Sequence, residues 1–265
     1  MRQQINTSQP FQQMPVPPQR SLLRVDHSLP SPAEYLAADE ALLDQCENGL
    51  DAEILAFWEP REPFVVVGYA NKIAREVNLA ACEKAGIPVF RRCSGGGTVV
   101  QLPGGLNYGL ILRITEDGPL HSITSANSYI MEKNRSALAT LLPQTSTSDK
   151  ITVRGHTDLC LGNLKFAGNS QRRRKHYLLF HGTFLLDCNL KLVGELLQMP
   201  SLEPDYRANR AHEEFVTNLK LPAPAIKSAL AQVWHADTPF ENPPLESIRT
   251  LAREKYSIPA WNQKF

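Results

Sequence analysis

Apolar positions in this chain follow two rhythms, short unbroken or alternating runs and longer stretches in which they recur every third or fourth residue, and the two alternate along the sequence. Ser31-Pro32-Ala33-Glu34 supplies a cap hydroxyl, a proline in the first turn and a glutamate three residues past the cap, which predicts a helix running to Gly49. "EILAFWE" and "FVVVGY" then read as strands, "AREVNLAACEKAG" as a helix ended by Gly86, and "IPVF" as a strand. "TVVQL" and "LNYGLILRI" predict two more strands, separated by Pro103, Gly104 and Gly105. Residues 120–142 carry a helical pattern. In "DLCLGNLKFAG", Gly162-Asn163 is a two-residue hairpin signal, and "HYLLFHGTFLLD" adds one or two strands. Helical patterns near 189–198, 223–234 and 244–256 suggest a helical cover. Strands joined by hairpins and interleaved with helices imply an α+β domain, with a mixed, largely antiparallel sheet and flanking helices.

Residues 1–22 begin with "MRQQINTSQPFQQMPVPPQR", rich in Gln and Pro and without a period, and read as a disordered tail. A chain of 265 residues can bury a full core, so 23–265 are expected to form a single domain with a helical C-terminal part and no separate accessory domain.

Charge removes several partners. Lys+Arg 28 against Asp+Glu 27 leaves +1, so no whole-molecule field recruits nucleic acid or an anionic membrane. No apolar run approaches the ~18 residues of a membrane span, and the polar start lacks the apolar middle of a secretory signal. The 5 cysteines are widely spread, with no C-x-x-C pair and no Cys/His cluster at zinc spacing. A cytoplasmic protein is expected.

Three segments offer chemistry. In "RRCSGGGTVV" the glycines permit positive φ and let backbone amides converge on an anion, although a plain turn would use glycines too. No Gly-Lys-Ser/Thr follows and Thr98-Val99-Val100 favours a strand, which excludes a Walker loop or a dinucleotide fingerprint. Alternation sends Arg91 and Arg92 to opposite faces; Arg92, nearer Ser94, is the one expected in the site, where a guanidinium fork suits a carboxylate or phosphate. In the hairpin, Asp158 and Lys165 lie on paired strands and can meet across the ladder, and Gly168, Asn169 and Ser170 read as a polar turn. An ordinary cross-strand ion pair explains Asp158 and Lys165 equally well at that level. In "HGTFLLD", Gly182 admits a close ligand, Thr183 offers a hydroxyl, and His181 is a ligand-binding or structural imidazole. Finally, "QRRRKHY" reads as a solvated basic loop or as a dock for acidic carrier domains, and "PDYRANRAHEEF" as surface helix or a cover over substrate.

Taken together and in order, "RRCSGGGTVV…LNYGL", "TDLCLGNLKFAGNSQ" and "HGTFLL" resemble the lipoate–protein ligase A family, within the wider group of biotin and lipoate ligases and lipoyl/octanoyl transferases, over residues from about 30 to 220. The resemblance implies a biotin/lipoate-ligase-like catalytic domain that converts lipoate or octanoate and ATP, with Mg²⁺, into acyl-AMP and passes the acyl group to a lysine of a lipoyl-domain acceptor protein. It places Arg92, Ser94, Gly95, Gly96 and Gly97 around the acyl-adenylate phosphate, Thr98 and Val99 along the nucleotide, and Asn107 near the phosphates. Lys165 falls on the family lysine, whose ammonium would bridge the acyl oxygen and the α-phosphate as two anions approach. Gly168, Ser170, His181 and Thr183 complete the expected binding surface, and Asp158, with Thr183, would hold Mg²⁺.

Two departures stand out. Gln101-Leu102 replaces the His-Asp pair that often follows the glycine motif, and no accessory domain is expected, so adenylation would need a separate accessory subunit or the chain would perform transfer alone. The transferases of this group use a cysteine thioester. Their cysteine precedes the lysine, where this chain reads "SDKITV", or follows the His-Gly motif near "LLQMPS"; both stretches lack one, which favours ATP-dependent ligation. A non-catalytic module that binds lipoylated proteins is the alternative from another class.

Overall fold

The computed structural model describes residues 21–143 and 150–265. In chain order the elements are β1 (Leu23–Asp26), α1 (Pro32–Glu47), β2 (Ile54–Trp58), β3 (Phe64–Val67), α2 (Ile73–Glu76), α3 (Leu79–Ala85), β4 (Val89–Arg91), β5 (Val99–Gln101) and β6 (Gly105–Arg113). There follow α4 (Ile123–Ala139), β7 (Ile151–Arg154), β8 (Asp158–Leu161), β9 (Leu164–Arg173), β10 (Tyr177–Leu185), α5 (Lys191–Leu196) and α6 (His212–Phe215). The chain ends with α7 (Ala223–Trp234), β11 (Thr238–Pro239), α8 (Leu245–Leu251), a π-helical turn over Ala252–Tyr256, and α9 (Pro259–Asn262).

Eight strands form one sheet in the order β11-β1-β2-β6-β10-β9-β8-β7, and β4-β3-β5 form a second. β1 runs parallel to β2 and β11, and β3 to β4; the remaining pairs are antiparallel, as a mixed α+β fold requires. Alternation along β10 divides the molecule. Leu178, Phe180 and Phe184 join Leu106, Tyr108, Leu110 and Leu112 of β6 in a core with Ile130 and Met131 of α4 and Ile226, Leu230 and Trp234 of α7. The intervening residues Tyr177 and Leu179 face Ala37, Ala41 and Leu42 of α1 and, with Ile111, form a second core. His181 and Thr183 continue that second face toward the small sheet, with His181 still against Asp39 of α1.

Local signals place these elements. Ser31 Oγ accepts from the Glu34 amide and donates to Oε2 of Glu34 at 3.0 Å, fixing the start of α1. The single helix expected over "AREVNLAACEKAG" is instead two. Val77 is extended at φ −118° and ψ 133°, bridging Leu197, and Asn78 starts a new helix by accepting from the Ala81 amide. β1, β7 and β11, short segments without a strong apolar alternation, were not foreseen. Residues 1–20 lie outside the described residues, but the last two of the expected tail belong to the fold: Leu22 is buried and its amide donates to the His235 carbonyl at 2.9 Å.

Arg91, the arginine expected outside the site, packs inside the protein. Its Nη1 donates to the carbonyls of Gly68, Tyr69 and Asn71 at 2.9–3.0 Å, while its backbone amide donates to Oδ1 of Asn262. The solvated-loop reading of "QRRRKHY" is corrected. β9 runs to Arg173, and the cations serve the protein itself: Arg172 donates to the Cys93 carbonyl at 2.6 Å, Arg173 to the Leu120 carbonyl at 2.7 Å, and Arg174 to Asp44 at 2.7 Å.

Glu40 of α1 ties the C-terminal helices down, accepting from Lys255 Nζ at 2.6 Å and from the Tyr256 hydroxyl at 2.8 Å. Burial pushes its carboxyl up, but the bonds from Lys255 and Tyr256 and the Lys255 and Arg172 charges outweigh that and hold it below its ordinary value. A carboxyl depressed by folding contributes stability above its unfolded pKa and loses it as pH falls through the folded one. Acid melts below about pH 4 are therefore expected to steepen with Glu40 present, and Glu40→Gln to flatten that limb of the Tm–pH curve.

Candidate functional site

Asp158 and Lys165 meet where β9 departs from regular pairing. Cys160 lies opposite Lys165, yet Asp158 lies opposite Gly168, so β9 carries one extra residue in this interval. Without that bulge Lys165 and Gly168, three apart, would point to opposite faces. With it, Lys165 shares the face of Gly168 and Ser170, while Phe166 enters the α4/α7 core. Gly168, Asn169 and Ser170 are thus mid-strand, paired with Thr183, Gly182 and His181, and not the turn expected.

Lys165 Nζ lies 2.8 Å from Oδ1 of Asp158, and the Tyr206 hydroxyl donates to Oδ2 at 2.7 Å. Burial, followed by the Asp158 charge, pushes the Tyr206 phenol well up, keeping it a donor. Space is tight here. A Cβ built on Gly168 would stand 2.8 Å from both Cε and Nζ of Lys165. Because the clash is with the end of a flexible chain, Gly168→Ala is expected to displace the ammonium at little cost in Tm. Parallel melting and steady-state assays should show kcat down roughly 10–10²-fold.

The glycine bend is held from behind by Arg92. Its Nε donates to Ser94 Oγ at 3.0 Å and Gly95 O at 3.1 Å, and its Nη2 donates to Gly95 O at 2.5 Å and Gly97 O at 2.7 Å. The guanidinium expected to bind a ligand anion thus organises the loop. A planar trans peptide sets N–H opposite C=O. Turning the Gly95 and Gly97 carbonyls toward Arg92 therefore aims the amides of Gly96 and Thr98 away from it, as an anion nest requires. Of the three glycines only Gly96 has positive φ, +83°.

Two connected spaces flank Lys165. A cavity of ≈ 130 Å³ runs under the small sheet, with Leu36, Trp58, Val66 and Val99 as apolar walls. A wider groove of ≈ 980 Å³ extends over β7–β8 and the segment around Tyr206. Gly97, Thr98, Val99, Lys165, Gly168 and Thr183 line both. Of the remaining expected residues, Arg92, Asn107, Ser170 and His181 line the cavity, and Gly96 and Asp158 the groove. Ser94, 1% exposed, is buried behind these walls, and Gly95, which lines neither space, is exposed. In the region of "PDYRANRAHEEF", Arg207 and His212 line the groove, whereas Arg210 donates to the Asn163 and Tyr206 carbonyls.

Sequence reasoning missed three participants. Gln101, set aside as a departure, closes a ring with two expected residues: Asn107 Nδ2 donates to Gln101 Oε1 at 2.9 Å, Gln101 Nε2 to Thr183 Oγ1 at 3.0 Å, and Thr183 Oγ1 to Asn107 Oδ1 at 2.5 Å. Asp39 accepts from His181 Nδ1 at 2.6 Å. Its signal was available, an acidic pair amid the alanines and leucines of α1. Tyr206 carried none.

All 5 cysteines are buried. Burial pushes the Cys46 and Cys93 thiols up to about 12, and those of Cys82, Cys160 and Cys188 upward too. None is poised as a thiolate. The expected Mg²⁺ ligand Asp158 has both oxygens engaged, and among the described residues no group of three or more His, Cys, Asp or Glu converges to hold a metal. A Mg²⁺ arriving on nucleotide phosphates needs only one or two carboxylates from the protein, and Asp158, engaged by Lys165 and Tyr206, is the carboxylate that would serve it. Also among the described residues, no helix is long and apolar enough to cross a membrane.

Residues 31–232 match the family model described as the lipoyl protein ligase A/B catalytic domain. The chain is similar to the octanoyltransferase LipM of Carboxydothermus hydrogenoformans, at 28% identity over 91% of this chain and 98% of that protein. It also resembles a chain from the structural analysis of an archaeal lipoylation system, a bipartite lipoate protein ligase and its E2 lipoyl domain from Thermoplasma acidophilum, at 26% identity and TM-score 0.73, covering 92% of this chain and 97% of the other. A lipoate-protein ligase A bound with ATP gives 27% identity and TM-score 0.71 over 92% and 97%.

Proposed function

The chain belongs to the lipoyl protein ligase A/B catalytic-domain family, and from that premise we propose that it is an ATP-dependent lipoate–protein ligase. It activates lipoate or octanoate to acyl-AMP and transfers the acyl group to a lysine of a lipoyl-domain acceptor, with a separate accessory subunit for the first step. One observation carries the choice of ligation over thioester transfer: Lys165 stands where cavity and groove meet, while every cysteine is buried and pushed away from the thiolate form.

In this reading the acid's alkyl chain enters the cavity against Leu36, Trp58 and Val66, each buried CH₂ contributing about 0.8 kcal/mol. Its carboxylate meets Lys165, and the nucleotide lies in the groove with its α-phosphate on the Gly96 and Thr98 amides. Lys165 then stabilises charge on both reacting anions, and Asp158 with Tyr206 orients it. Because the amides and ammonium are already fixed, little reorganisation accompanies the reaction. Arg92 stays in the loop, and Asp158 acts on Lys165.

The likeness to an octanoyltransferase supports transfer from an acyl carrier as a second reading. Purified chain given lipoate, ATP, Mg²⁺ and a lipoyl domain, with and without the accessory subunit of a bipartite ligase, separates them. Acyl-AMP and an acylated acceptor by mass spectrometry support ligation. Acylation from octanoyl carrier protein without ATP, and none with ATP and free acid, would replace it with transfer.

A further inference from the structure

One polar chain behind the cavity has no part in the chemistry above. His181 lines the cavity, its Nδ1 2.6 Å from Oδ2 of Asp39 and its Nε2 2.6 Å from Ser94 Oγ, which in turn accepts from Arg92 Nε at 3.0 Å. One protonation pattern satisfies every atom: Nδ1–H donates to Asp39, the Ser94 hydroxyl donates to Nε2, and Arg92 donates to Ser94. The order Asp, His, Ser is that of a hydrolase triad, but Ser94 is 1% exposed, lines neither cavity nor groove, and has a lone pair committed to Arg92. A nucleophile must face its substrate.

We infer that His181, its tautomer set by Asp39, is a positioning residue that holds the glycine bend in its anion-binding shape through Ser94 and Arg92. Asp39 belongs to α1, His181 to β10 and Ser94 to the bend, so the chain spans the helix, the large sheet and the loop. With its hydroxyl shared between His181 and Arg92, Ser94 fixes the guanidinium that turns the Gly95 and Gly97 carbonyls inward. Removing any member frees the amides of Gly96 and Thr98 to reorient without emptying the acyl cavity. The inference rests on the reading of the bend as the phosphate cradle.

The test uses the full chain under the acylation conditions above. Ser94→Ala is expected to lower kcat at least about tenfold with KM for lipoate within about twofold, and Ser94→Thr, which keeps the hydroxyl, to restore most of it. Asp39→Asn presents an amide that can force the other tautomer, so it should resemble Ser94→Ala, and the double variant should be no worse than either single one. Proton NMR should show a solvent-shielded downfield imidazole proton in wild type and Ser94→Ala, lost in Asp39→Asn. An acyl group on Ser94, unchanged kcat in Ser94→Ala, or additive losses in the double variant would overturn the inference. A wild-type chain that forms no acyl-AMP would instead sink the ligase reading, a separate outcome.

Discussion

Lys165→Ala is expected, on the proposed ligase reading, to lower kcat/KM for acyl activation about 10²–10³-fold, the usual loss when a preorganised group that stabilises transition-state charge is removed. The geometry explains why folding should survive. The lysine side chain is about a quarter exposed, and Asp158 keeps the Tyr206 hydroxyl after the change, which limits the cost of removing the ammonium from a largely buried carboxylate. Lys165→Arg should recover little, because a planar fork cannot place one charge between two anions as an ammonium does. Pyrophosphate release and melting temperature, measured on the same preparations, check both halves. A chain that still released pyrophosphate at the wild-type rate would remove Lys165 from the reaction.

The second large effect is expected at Gly68, outside the glycine motif. A Cβ there would lie 2.1 Å from the Gly96 carbonyl oxygen and 3.3 Å from Arg92 Nη2. Backbone oxygen cannot step aside as a side-chain tip can, so Gly68→Ala must move the bend. Such overpacking costs roughly 1–3 kcal/mol, and an ångström of displacement at the amides should cost about 10²-fold in activity. Gly95→Ala is the control. A Cβ at Gly95 meets nothing within 4 Å, and its φ lies outside the positive range, so activity and Tm should stay near wild type. Equal losses at both positions would show that flexibility of the motif, and not the contact from Gly68, governs the bend.

Much of this arrangement was legible because local rules act alone where they are strong. The Ser31 cap, the Gly86 stop and the Gly162 turn fall where the sequence put them. The α+β class and the choice of Arg92 over Arg91 as cavity-lining residue also followed from pattern and alternation. What escaped depends on partners distant in the chain. Strict alternation would set Lys165 on the face of Ala167 and Asn169; only the bulge, made by pairing with β8, turns it toward Gly168. Arg92 looked like a ligand fork because a sequence shows a guanidinium's donors but not the Gly95 and Gly97 carbonyls that claim them. Arg172, Arg173 and Arg174 looked solvated for the same reason. Gln101 read as a missing His-Asp pair because its partners Asn107 and Thr183 lie on two other strands.

The division of β10 between two faces constrains how this protein can diverge. Inserting or deleting one residue in the strand would turn His181 and Thr183 into the apolar layer against α4 and α7 and present Phe180 and Phe184 to the acyl cavity, so both the hydrophobic layer and the site would be lost together. Length changes in β10 are therefore closed to selection. New acyl preferences in descendants of this chain must arise by exchanging side chains in place, at positions such as Trp58, Val66 and Gln101, or by remodelling the segments that border the groove.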